Sequence, residues 1–421
     1  MDQESFELVS GLLHERLDRI EALLPFGAPR RGQRLIDLVK AVCDGLRGEH
    51  GRIAAAFSGA ATDERRVLGR KLTRLLQQSH ILNMLKPYVD DVGRRDVPVG
   101  VWQMIDMLVE SLLPGGADPV IHYDDHDMYS TADLVTAIRE TLTVLGVTYS
   151  DPVHPIIFFL PGTDPSNALL MPILAHEVGH AAVEDSHLGS STLKNVTQIE
   201  QLNALLDECL KAAGNPSPGP WQFQFFQWVD ELLCDALATV LTGPSLLFAS
   251  ATFLPAPDPG TLGTHPFPAD RIRFTLEQLH RLGWTSILED CAPKTKAWLE
   301  RLNAPATGEP KERFLRGAIE IVKPALFDVA EHHATRVFKP DDFNLVSSEL
   351  TRIIEAGVPP AQVEGHSVDP WAITLAGWLY QFRVRGDAPK SLAEAAADRD
   401  FNALIHKAIE MSRILRLWEE S

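Results

Sequence analysis

Residues 172–185 read PILAHEVGHAAVED, and the reading of the stretch His176-Glu177-Val178-Gly179-His180 decides the fold. A turn-rich run, Gly162 to Asn167, precedes it, so a helix is expected from about Ala168 through the 180s. Positions i and i+4 lie on one helix face with Cβ atoms about 5–6 Å apart. His176 and His180 can therefore each direct a ring nitrogen at one ion, at about 2.0–2.1 Å if the ion is zinc. Glu177 lies to one side, where a carboxylate can take a proton from water instead of binding the metal. Gly179 lowers helix propensity by about 0.8–1 kcal/mol relative to alanine, which implies a packing reason such as close approach of another segment.

Two histidines do not complete a site. The plain alternative is a buried helix face whose imidazoles are satisfied by neighbours. Catalytic zinc usually has three protein ligands. The extended form with a third histidine after a glycine is excluded, because Val183 and Ser186 stand at its positions and His187 comes one residue too late. A glutamate on a separate helix remains, and residues 228–238, WVDELLCDALA, fit it. Glu231 and Asp235 share a face, while Leu232, Leu233, Leu237 and Val240 can face a core. Glu231 is the expected third ligand. Asp235 is expected to accept the second ring N–H of a histidine ligand, His176 being the best placed, and so to hold its tautomer. The alternative, an acidic solvent face, sits poorly with the apolar character of residues 225–241.

Outward from these two helices, the chain divides by pattern. Residues 1–115 show helical periodicity, for example Leu8, Leu12, Leu13, Leu17, Ile20 and Leu23, and close on Pro114-Gly115-Gly116. Val120 to Tyr123 reads as a short strand, and Ile156-Ile157-Phe158-Phe159-Leu160, bounded by prolines, as a better one. Beyond residue 290 the chain reads as helical again, with Pro and Gly breaks. Three regions follow: 1–115, 116–290 and 291–421.

Composition narrows the partners. The chain has 421 residues, 45% hydrophobic and 23% charged, as a globular protein does, and a formal net charge of -18. That charge disfavours nucleic acid and anionic membrane surfaces, both polyanions. The long uncharged run Ala236 to Pro257 is interrupted by Gly243-Pro244, and is expected to be the end of one buried helix and the start of another, not a membrane span. The start of the sequence lacks the basic and apolar pattern of a signal peptide, and Cys43, Cys209, Cys234 and Cys291 show no C-x-x-C spacing. Together these features lead us to expect a cytoplasmic protein. The cluster from His122 to Asp127 reads as a polar loop and not a second metal site, and the aromatic residues between Trp221 and Trp228 as core.

His-Glu-x-x-His, followed downstream by Glu231-x-x-x-Asp235 and Ala236, resembles the gluzincin peptidases. The segment Thr264-His265-Pro266-Phe267-Pro268-Ala269-Asp270-Arg271-Ile272 resembles the His-Pro segment, followed by Arg-Ile, of the M48 peptidase family. The likeness covers roughly residues 150–285 and leaves out both helical flanks; the chain also lacks the membrane helices common in that family. The resemblance implies a mainly α (α+β) fold, with a zincin-like metallopeptidase core and a small β-sheet between N- and C-terminal helical regions. It implies one Zn²⁺ per chain, His265 beside the transition state and Arg271 as anchor of its segment. The zincin architecture also implies a strand whose free edge receives substrate, for which Ile156 to Leu160 is the candidate; an ordinary strand buried on both faces is the alternative. The expected function is hydrolysis of a peptide or protein by zinc-activated water, with Glu177 as general base and His265 or a tyrosine elsewhere at the oxyanion. The alternative from another class is a zinc-containing sensor or interaction protein, in which this domain is a switch between helical modules that bind a protein partner. An intact Glu177 favours the enzyme, because a binding module needs no base there.

Overall fold

Of the apolar stripe from Leu8 to Leu23, Leu13, Leu17 and Ile20 face inward in the computed structural model, from the helix Gln3–Glu21, while Leu8, Leu12 and Leu23 are exposed. The structure describes all residues except 25–30, 93–95, 114, 125–128, 150, 152, 162–166, 186–187, 190–198, 256–262, 264, 304–306, 386–398 and 420–421. It is mostly helical with a small sheet. Its contacts group the chain into two units, Met1–Asp96 with Gly115–Thr163, and Val97–Pro114 with Asp164–Ser421. The expected middle region, 116–290, is therefore divided: its strands join the N-terminal helices, and its two motif-bearing helices join the C-terminal ones.

In the first unit, helices Gln3–Glu21, Gln33–Gly59, Thr62–Gln78, Ile81–Asp90 and Leu134–Leu145 pack with a three-stranded sheet. Side-chain caps set their starts. Asp2 accepts from the Ser5 N–H, and Asp133 from the N–H groups of Val135 and Thr136. Asp118 accepts from the Gly32 and Arg34 N–H groups at 2.7 and 2.6 Å, which satisfies orphan donors at the start of the longest helix. Leu35, Leu38, Val42, Phe57, Leu72 and Ile157 lie in one apolar core.

The sheet has the order β1-β3-β2, with β1 Ala117–Asp124, β2 Ser130–Asp133 and β3 His154–Pro161. β1 pairs parallel to β3 (Val120 opposite Ile157) and β2 antiparallel to it (Thr131 opposite Phe158). This corrects the expectation for Ile156, Ile157, Phe158, Phe159 and Leu160. They form the central strand, both edges of which are already bonded, so no substrate strand can add there. The continuous apolar run is the cause: Ile156, Ile157, Phe158 and Leu160 are buried, which suits a middle strand covered on both faces. The edges of the sheet are β1 and β2.

The second unit is built around the helix Gly219–Thr242, here the acid helix. The helix Pro172–Asp185, here the motif helix, packs along it, and helices Pro310–His333 and Pro268–Arg281 pack on it elsewhere. The motif helix starts at Pro172, not Ala168; residues 168–171 form a turn, and proline suits a first helical turn. Gly243, with φ of 57°, ends the acid helix, and Pro244 begins the helix Pro244–Phe253. Its position needs glycine twice over, since a Cβ there would lie 2.9 Å from a Phe338 ring carbon. Trp228, Trp284, Trp371 and Trp378 fill this unit's core. Of the aromatic residues read as core, Trp221, Phe225 and Trp228 are buried, while Phe223 and Phe226 are exposed. No helix among the described residues is long and apolar enough to cross a membrane.

Candidate metal centre

The motif helix lies against the acid helix with an unusually close backbone approach. A Cβ added at Gly179 would sit 3.1 Å from both Cα and Cβ of Cys234. Any side chain at 179 would push the two helices apart, which is the packing reason for a glycine inside this helix. The closeness puts His176 and His180 on one side of a narrow gap and Glu231 on the other.

Ligand atoms of His176, His180 and Glu231 all lie within 4.8 Å of one another. His176 Nε2 is 3.4 Å from Glu231 Oε2, and His180 Nε2 is 3.5 Å from Glu231 Oε1. Donors held tetrahedrally at zinc distances are roughly 3.3 Å apart, so the spacing suits a small divalent ion. Glu231 is only 9% exposed, and its Oε2 is buried without a hydrogen bond. A carboxylate oxygen so placed is costly in a protein core unless something cationic meets it. The residues present thus fit a metal ion.

Around these three stands a second ring of charged groups. Asp235 Oδ1 lies 2.8 Å from His176 Nδ1. Arg271 donates to the same carboxylate from Nε at 2.8 Å and Nη2 at 2.6 Å, a two-pronged pair that ties the helix Pro268–Arg281 to the acid helix. Arg271 Nη1 is also 3.8 Å from Glu231 Oε2. His265, 64% exposed, places Nδ1 2.9 Å from Glu231 Oε1. The chain ahead of His265 is fastened to the acid helix through the Gly263 carbonyl, which accepts from Gln224 at 2.5 Å and from the Trp228 indole at 3.3 Å. Glu177 is half-buried beside the cluster.

Titration follows from these neighbours. Burial and Arg271 oppose charge on His176, but Asp235 and Glu231 outweigh them and push its pKa up to about 9. His180, with burial and His176 against its charged form, falls to about 4. Burial raises the Glu177 carboxyl above its ordinary value. Burial also works against the Glu231 anion, yet the nearby His176 and Arg271 charges and the contact from His265 hold it well below the usual carboxylate range. Asp235 is held low in spite of burial by Arg271 and His176.

The structure thus brings together His176, Glu177, His180, Glu231, Asp235, His265 and Arg271, all within the second unit. Ile156 to Leu160 belong to the other unit. Sequence reasoning missed Cys234, whose Sγ is 3.4 Å from His180 Nδ1, and the pair Gln224 and Trp228 behind His265. A signal existed for the first: Gly179 was expected to admit another segment, and Cys234 is the residue before Asp235 on the expected acid-bearing helix. None existed for the second, because Gly263 enters through its backbone. The earlier reading of His122 to Asp127 lies largely outside the described residues; His122 itself pairs with Asp91 at 2.5 Å. Compared with known proteins, the chain matches no family model, no curated protein and no solved structure.

Proposed function

We propose that the chain is a zinc-dependent metallopeptidase of the gluzincin type, similar to M48 peptidases, with a zincin-like core formed around the motif and acid helices. One observation carries this reading: His176, His180 and Glu231 converge within 4.8 Å, with one Glu231 oxygen buried and accepting no hydrogen bond. His176, His180 and Glu231 would hold the ion. A bound zinc supplies Lewis acidity where the three donors meet.

The chain's own groups do the remaining work. Glu177 takes a proton from the attacking water and returns it to the leaving amine nitrogen; burial, which raises its pKa, makes it a stronger base than an exposed carboxylate. Asp235 keeps the His176 proton on Nδ1, so that Nε2 faces Glu231. Arg271 neutralises Asp235 and keeps that carboxylate in one orientation. In its doubly protonated form His265 holds Glu231 through Nδ1–H and has its Nε2–H left to donate to the oxyanion of a bound amide. The substrate is a peptide or protein.

The test combines metal analysis with a peptide-library digest of wild type, Glu177→Gln and Glu231→Ala. Wild type is expected to carry about one zinc per chain and to cleave. Glu177→Gln keeps the metal and loses about 10²–10⁴ in rate, the usual worth of a general base. Glu231→Ala loses metal and cleavage together. Cleavage by Glu177→Gln at the wild-type rate, or a wild type that takes up no zinc, would refute the reading.

A further inference from the structure

We infer that Cys234 is the positioning partner of His180: its sulfur accepts the imidazole Nδ1–H and so turns Nε2 toward Glu231. The inference rests on the metal centre proposed above and adds a residue to it. A neutral imidazole that offers one nitrogen to an ion carries its proton on the other, and that N–H needs an acceptor to fix the ring. For His176 the acceptor is Asp235. For His180 the group at Nδ1 is Cys234 Sγ, at 3.4 Å, while Nε2 is 3.5 Å from Glu231 Oε1. The sulfur meets the ring at Nδ1 and is not among the three convergent donors, so it orients a ligand and is not itself one.

A second observation, from packing, points the same way. Cys234 is fully buried, and the Cβ that Gly179 lacks would fall 3.4 Å from Sγ and 3.1 Å from Cα. Glycine at 179 thus lets the acid helix come close enough for a short side chain at 234 to reach the His180 ring. Glycine and cysteine work as a pair that fixes where the second histidine stands. The pair also makes the two imidazoles unequal. His176 is held by a charged carboxylate, itself held by Arg271, whereas His180 is held by a thiol. Charge-assisted hydrogen bonds are roughly twice as strong as neutral ones, so His180 is the more loosely oriented ligand.

The experiment uses the full chain and measures zinc affinity by chelator competition for wild type, Cys234→Ser, Cys234→Ala and Gly179→Ala. The thermal midpoint of each metal-stripped protein and the visible spectrum of each cobalt(II)-loaded protein are recorded alongside. Cys234→Ala is expected to weaken zinc by about 10–100-fold, the usual effect of removing a group that orients a ligand. Cys234→Ser, whose hydroxyl can still accept the N–H, stays within about threefold of wild type. Gly179→Ala weakens zinc as Cys234→Ala does, because it moves the sulfur away. The cobalt spectrum shifts in Cys234→Ala and not in Cys234→Ser. Wild-type affinity in Cys234→Ala overturns the inference. So does a fall in Ser and Ala alike that tracks a common drop in the metal-stripped midpoint, which would make Cys234 a packing residue. A sulfur-to-cobalt charge-transfer band in wild type overturns it too, by making Cys234 a ligand. If wild type takes up neither metal, the metal centre itself fails and this inference falls with it, a result plainly separate from the other three.

Discussion

The two units of this chain bury different kinds of side chain. In the first, no charged residue is buried among those described: Glu21 with Arg47, Asp91 with His122 and Asp133 with His154 make their pairs toward the surface. In the second, His176, Glu231, Asp235, Glu312 and Lys323 are all buried. Removing charges from water is expensive and is seldom recovered in full by pairing. A buried Glu231 oxygen without a hydrogen bond is therefore poor design for stability and good design for holding a cation. The first unit is organised as a scaffold, and the second gives up stability at the gap between two helices.

The largest effect is expected in the first unit. Phe57 is 1% exposed in its core and stacks on Phe6 with ring centroids 4.0 Å apart. Phe57→Ala should cost about 3–5 kcal/mol of stability by leaving a cavity. The contrast adds that zinc affinity should stay at the wild-type value below the lowered melting transition. Denaturant unfolding followed by chelator competition checks both parts. Zinc affinity that falls along with stability would mean that the two units are not energetically separate.

A middle-sized effect belongs to Asp235, whose carboxylate receives both His176 Nδ1 and Arg271. Asp235→Asn keeps an acceptor and should weaken zinc by about 10–100-fold. Asp235→Leu should weaken it further, because it leaves the His176 N–H without its acceptor and removes the two-pronged partner of the Arg271 guanidinium. Competition titrations of both variants suffice. Equal, unchanged affinities would show that this carboxylate is structural, and would remove half of the argument that the second unit's buried charge serves a metal.

The contrast also explains what could be read from sequence. The helical stripe from Leu8 to Leu23 was legible in part, because an apolar core prints its period on the chain: Leu13, Leu17 and Ile20 are buried, while Leu8, Leu12 and Leu23 are exposed. The close pair Gly179 and Cys234 was half legible: a glycine inside a helix announces a neighbour without naming it. The role of β3 was misread because a run such as Ile156 to Leu160 reports burial on both faces, which is the mark of a central strand, while its neighbours β1 and β2 are set by pairing that local pattern does not encode. The grouping of Val97–Pro114 with the C-terminal helices was not legible at all. It depends on contacts such as the Thr335 N–H donating to the Ser111 carbonyl, more than 200 residues along the chain.

The smallest effect is a proton. In the metal-free chain Asp235 and Glu231 outweigh burial and Arg271 and lift His176 to about 9, while His180 is down at about 4. Near pH 7.5 His176 is then protonated and His180 is not. Zinc must displace the His176 proton, so binding should release about one proton per ion, and affinity should rise about tenfold per pH unit until pH nears 9. The sign for stability is opposite in the empty protein. A histidine whose folded pKa is raised contributes stability that is complete below its unfolded value of about 6.5 and is lost as pH rises through the folded one. The thermal midpoint of metal-stripped protein should therefore decline between about pH 6.5 and 9, while that of zinc-loaded protein should not. Calorimetric titration in buffers of different ionisation enthalpy counts the proton, and melting scans across that range supply the second reading. No proton released at pH 7.5, with affinity flat across the range, would mean that His176 is already neutral. Asp235 would then be spent wholly on Arg271, and the buried charges of the second unit would be a closed ion pair instead of a site waiting for a cation.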